Sequence, residues 1–220
     1  MAKKETTKKK KPKEVERTQL KVELEFTEPL LGTLPGDPKL VEDYVTSRHP
    51  DGVQKDEKES PPPSLPEEIK KFSSFFARNQ KGEPILWDYQ VKGFFKDACS
   101  MMRRVAQVDE LKAHKKIIDG LIFVTPREIP LRLSGELTFK ERPLRITTPK
   151  GDRTALARSE MAPAGTKIQI EILLLKPSLK QYVINWLDYG ILRGLGQWRN
   201  SGMGRFKWIE TGIEGLTLGG

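Results

Sequence analysis

The stretch KIQIEILLLKPSLKQYVINWLDYGILRGLGQWRNSGMGRFKW, residues 167–208, decides the fold. Ile168, Ile170, Ile172 and Leu174 alternate with polar residues over its first third, the period-two signature of a half-buried strand. Ser178 stands where a helix cap belongs. Leu179, Tyr182, Val183, Trp186 and Leu187 then recur at helical spacing, as the inner face of a helix that Gly190 would end. After a long glycine-rich segment, Phe206 and Trp208 alternate with Arg205 and Lys207 and predict a final strand.

Working outward, Leu20, Val22, Leu24 and Phe26 alternate with Lys21, Glu23 and Glu25 and predict the first strand. Asp88 is positioned to cap a helix whose buried stripe is Val91, Phe94, Phe95, Ala98, Met102 and Val105. A shorter helix is expected over residues 110–118. Strands follow at Leu121 to Val124 and at Ile129, Leu131 and Leu133. The order strand, helix, strand, strand, helix, strand predicts an α+β, ferredoxin-like antiparallel sheet with both helices on one face. Between the first strand and first main helix, residues 46–64 lack periodicity and end in three prolines, so they read as a flexible insertion. Ser64 and Glu67 form a capping box for a short helix with Leu65, Ile69, Phe72 and Phe76 on one face. The expected organisation is a disordered lysine-rich tail (1–17), one domain (18–210) and a C-terminal tail (211–220).

The 220 residues suit one domain with tails, and the net charge of +9 is uneven. Residues 1–13 hold seven lysines against Glu5, or +6, leaving +3 for the remainder. Such a tail is either a solvated solubility element or a non-specific attractor of polyphosphate. The longest apolar runs, such as Ile172 to Leu175, are too short to cross a bilayer, and no signal peptide is visible, so no membrane partner is expected. Cys99 is the only cysteine, which excludes an internal disulfide and a thiolate metal cluster within one chain. A cytoplasmic protein without cofactor or metal is the expectation.

The sharpest candidate site is GILRGLGQWRNSGMGRF, residues 190–206. Its glycines, Gly190, Gly194, Gly196, Gly202 and Gly204, let backbone amides approach a ligand, with Arg193, Gln197, Trp198, Arg199, Asn200, Ser201 and Arg205 interleaved. Guanidinium groups supply forked donors for phosphate, and Trp198 offers a flat face for a base. The plainer alternative is a long structural turn with Trp198 packed on the core. The spacing is neither the Rossmann nor the Walker pattern, because the glycines follow a helix and no Gly-Lys-Ser/Thr occurs. A second basic feature spans Pro126 to Arg158, where Arg127, Arg132, Lys140, Arg142, Arg145, Lys150, Arg153 and Arg158 face four acidic residues, leaving +4. Within it, residues 136–164 read as a basic hairpin able to follow a nucleic-acid backbone, or else as a solvated loop.

These residues carry a resemblance. VELEFTEPLLG after the first lysines, WDYQVKGFFKDA with its Lys92-Gly93 pair, SEMAPAGTKIQIEI (159–172) and the glycine-rich loop resemble the RAMP superfamily of CRISPR-associated RNA-binding proteins, most of all its guide-RNA backbone subunits. The resemblance implies that Lys92, Gly93 and the glycine-loop residues hold RNA phosphates. It implies that the hairpin acts as a thumb on the bases, and that the partners are RNA and further copies of the chain or other ribonucleoprotein subunits.

Some relatives in that superfamily cut RNA, so an endoribonuclease is the alternative, and a scaffold subunit that has lost RNA a further one. Metal-independent cleavage needs a base and a proton donor, often histidine. Only His49 and His114 are present, the first in the insertion and the second on a lysine-rich helix. Asp37 and Asp43 lie where slicing subunits of the family place an aspartate, although Asp37, between Gly36 and Pro38, also suits a turn. No residues have metal-ligand spacing. Binding without chemistry is the expected function.

Overall fold

A computed structural model describes residues 17–36, 73–106, 111–148 and 151–216. The lysine tail, the 46–64 insertion and most of the capping-box segment lie outside these.

The central sheet has four strands, antiparallel throughout. β1 (Arg17–Phe26) pairs on one side with β11 (Lys167–Leu174) and on the other with β12 (Phe206–Leu216), while β7 (Ile122–Thr125) pairs with the outer side of β11. Alternation in β1 does what its pattern predicts: Leu20, Val22, Leu24 and Phe26 are all at most 1% exposed. They share one core with Ile168, Ile170, Ile172 and Leu174 of β11. Two helices cover that face, α1 (Asp88–Ala106) and, after α2 (His114–Leu121), α3 (Lys180–Tyr189). Phe95 and Trp186 join them, ring centroids 5.8 Å apart. Burial of Cys99 on α1 pushes its thiol up to about 11, which fits an inert core residue.

The opposite face of the sheet is a ladder of charge. Lys167 Nζ lies 2.9 Å from Glu23 and 3.5 Å from Glu25, Lys207 lies 2.9 Å from Glu25, and Lys21 lies 3.8 Å from Glu171. β12 runs to Leu216, opposite Arg17, so the sheet extends past the domain end expected at residue 210.

A second, mixed sheet flanks the first. β2 (Leu30–Leu31), β3 (Leu34–Pro35) and β4 (Ser73–Phe75) gather around the base of a hairpin formed by β9 (Thr138–Thr148) and β10 (Gly151–Ala162). A third sheet joins β5 (Ala77–Arg78), β6 (Pro84–Trp87) and β8 (Glu128–Pro130).

Several expectations are corrected. Phe76 is no part of a helix: it follows strand β4, and both Phe75 and Phe76 are buried. The short helix is α2, from His114 rather than residue 110. The Ile129 strand pairs with β6 instead of joining the central sheet. Val105 is 87% exposed, because the end of α1 outruns the core. Ser178 makes no side-chain cap bond, and α3 opens instead through a 3-10 turn at Pro177–Leu179. Gly190 keeps a right-handed φ of −58°, so no left-handed cap explains it. It is glycine because a Cβ there would overlap the Phe206 ring.

Candidate nucleic-acid interface

The end of the central sheet marked by Phe26, Lys167 and Phe206 gathers three things: the first turns of α1, the loop from α3 to β12, and the base of the β9–β10 hairpin. The loop is fixed from within. Leu195 is 2% exposed, its amide donates to Gly204 O at 2.9 Å, and the Gly204 amide donates to Pro29 O at 2.9 Å. Gly204 has φ +71°, and a Cβ on it would overlap the Leu195 carbonyl, so only glycine lets the two limbs of the loop close together. The amides of Gly190, Gly202 and Gly204 donate to carbonyls of the chain itself. These three amides are already engaged within the chain, where the glycines shape the loop.

Gln197 ties the loop to the hairpin. Its Nε2 lies within donor reach of Gly32 O, of Ser74 Oγ at 2.7 Å and of Ser159 Oγ at 3.0 Å, and its Oε1 accepts from Arg142 Nη2 at 3.0 Å. Arg142 also lies over the Trp198 ring, 4.9 Å from its centroid. One face of Trp198 is thus covered by a cation. The Nε and Nη1 groups of Arg142 are buried without partners, and burial holds the guanidinium below its ordinary value. It remains a cation at neutral pH. A half-buried guanidinium with unspent donors is an anion-seeking group.

Below the loop, Asp97 of α1 accepts from Arg193 Nε at 2.9 Å and from Arg199 Nη1 at 2.8 Å, both on Oδ2. Arg193 also donates to Asn200 Oδ1 at 2.6 Å. Between α1 and the loop runs a cleft of about 400 Å³, lined by Thr33, Tyr89, Gln90, Gly93, Phe94, Leu195, Gly196, Gln197 and Arg199. Gln90 helps hold its wall, accepting from the Trp87 amide at 2.8 Å and donating to Thr33 at 2.8 Å. Gly93 is exposed on the cleft, and a Cβ on it would meet nothing within 4 Å.

The other predicted basic residues are not part of the cleft lining. Lys92 lies over the Phe123 ring at 4.8 Å, and Arg127 lies 5.8 Å from the Trp87 ring centroid near the start of α1. Arg205 Nε is buried without a partner, and its head group lies against Gly202. Ser201 ends a short 3-10 turn begun by Arg199. Arg158 points to the other side of the hairpin, over Phe139 at 4.2 Å and 3.8 Å from Glu141, away from Arg142. Arg145 and Arg153 lie farther out, in register with Thr154 and Ile146. Asp37 and His49 lie outside the described residues, and among those described no group of acidic, histidine and cysteine residues could hold a metal.

Sequence reasoning missed four participants: Asp97, Ser74, Ser159 and the buried Glu160, which accepts from the Phe76 amide at 2.8 Å and pairs with Arg78. A larger hollow of about 530 Å³ lies on the charged outer face of the sheet, beside Lys21, Arg132 and Glu171. Lys21 there is already paired with Glu171, and none of the predicted glycine-loop or hairpin residues reaches it, so the cleft is the better candidate.

No protein-family model matches the chain. No curated protein matches it either. Among solved structures it is similar to a chain in the cryo-EM structure of the Type III-B Cmr-beta bound to cognate target RNA, with a TM-score of 0.49 and 10% sequence identity. The similarity covers 92% of this chain and 61% of that one, so this chain spans about three-fifths of that relative's length.

Proposed function

We propose that the protein binds single-stranded RNA along the cleft between α1 and the glycine-rich loop, as a ferredoxin-like subunit of a CRISPR-type ribonucleoprotein. In this reading the hairpin base lies beside the strand and the protein acts by holding RNA. The observation that carries it is Arg142: one hairpin side chain engages both Gln197 and Trp198, so the two basic features that the sequence marks separately meet at one site. Phosphates would be met by Arg142, Arg199 and Arg205, and the face of Trp198 turned away from Arg142 would take a base.

Titration of a labelled single-stranded RNA by fluorescence anisotropy tests the reading. The wild type should bind, more weakly as salt rises. Arg142→Ala should weaken binding about tenfold, the worth of one charge-assisted contact. Arg104→Ala removes the same charge from the exposed far end of α1 and should leave affinity nearly unchanged. Equal losses in both variants would reduce the effect to net charge and sink the site.

A further inference from the structure

Asp97 is an acidic side chain in the middle of a basic site, and net charge alone gives no reason for it. Its position gives one. Asp97 follows Gly93 by four residues on α1, which places the two on one helix face. Gly93 opens the cleft wall, and Asp97, one turn on, reaches the loop that forms the opposite wall. Its Oδ2 takes Arg193 from the limb before the turn of the loop and Arg199 from the limb after it. A single carboxylate oxygen thus spans the loop and holds two guanidinium groups side by side.

We propose that Asp97 is a positioning residue for RNA: it fixes Arg193 and Arg199 so that their remaining donors meet consecutive phosphates. A guanidinium carries five N–H donors, so one contact with Asp97 orients each head group without exhausting it. Two adjacent guanidinium groups repel, and each long side chain loses rotamer freedom when it is ordered. Asp97 offsets both costs in the free protein, where the side chains of both arginines are about 28% exposed. One negative charge against two positive ones still leaves the pair of arginines net positive, so attraction for phosphate survives. Order gained before binding is order that RNA does not have to impose.

This inference rests on the RNA-binding reading, and it has an outcome that simple electrostatics reverses. Asp97→Asn makes the protein one charge more positive, so an unordered basic surface would bind RNA more tightly, with a steeper salt dependence. Positioning predicts the opposite: about tenfold weaker binding for the loss of an oriented charge-assisted contact, with a shallower slope of log K against log salt. The assay is the same single-stranded RNA titration at several salt concentrations, with thermal unfolding recorded in parallel. Asp97→Glu keeps the charge but moves the carboxylate by one methylene, and it too should weaken binding. Wild-type or tighter binding in either variant, with the fold intact, overturns the inference while leaving RNA binding standing. Failure of the wild type to bind RNA would instead overturn the functional reading itself.

Discussion

At the residue scale, Gly93 and Gly204 are glycines for different reasons. Gly204 is demanded by the fold, since its left-handed backbone and the nearby Leu195 carbonyl exclude a side chain. Gly93 is demanded by nothing within the chain: it lies in a helix, where glycine costs roughly 0.5–1 kcal/mol against alanine, and a methyl group there would touch nothing. Gly93→Ala should therefore raise stability by about 0.5–1 kcal/mol in denaturant unfolding while lowering RNA affinity, because the added methyl narrows the cleft. Gly120, also helical and equally open, supplies the control. Gly120→Ala should stabilise and leave binding alone. If the two variants behave alike in the binding assay, the cleft is not where RNA lies.

At the element scale, what the sequence revealed tracks how local the signal was. β1 and β11 follow from strict alternation, and the buried part of the α1 stripe, Val91 to Ala98, from helical spacing. The glycine loop announced itself by composition. Its partners did not, because Gln197 meets Gly32 and Ser74 across 165 and 123 residues, and Arg199 meets Asp97 across 102. No periodicity encodes contacts at that separation. β4 was read as a helix for a related reason: Phe72 and Phe76 have helical spacing, but the chain is drawn into a strand by pairing with β3 and β10. The ladder on the outer sheet face makes a prediction of its own. Hydrogen bonds from Lys167, Gln169 and Lys207 hold the Glu23 and Glu25 carboxyls below their ordinary value of 4.5, and bonding to Glu23 raises Lys167 above 10.5. A depressed acid contributes stability above its unfolded value and loses it as pH falls; a raised base contributes below its unfolded value and loses it as pH rises. Denaturation midpoints should accordingly be level at neutral pH and decline below about 4.5 and above about 10.5. Glu23→Gln should flatten both limbs, and unchanged limbs in that variant would place the titration elsewhere.

At the scale of the whole molecule, most of the net charge lies in the lysine tail. Residues 1–13 carry +6 of the net +9. Removing them should reduce the salt dependence of RNA binding yet keep the effect of Arg142→Ala, since the tail attracts without orienting; loss of all binding on truncation would move the site from the cleft to the tail. The register of β1 with β12 bears on how such experiments are built. Arg17 and Leu216 lie opposite each other, at the end of the sheet remote from Phe26, Phe206 and the loop. Ten residues of strand put roughly 30 Å between them and the cleft. A dye, bead or surface linker attached at Arg17 or Leu216 leaves the sheet at the same corner and points the cleft-bearing end outward. A circular permutant that joins the two there would preserve that end while freeing new extremities elsewhere.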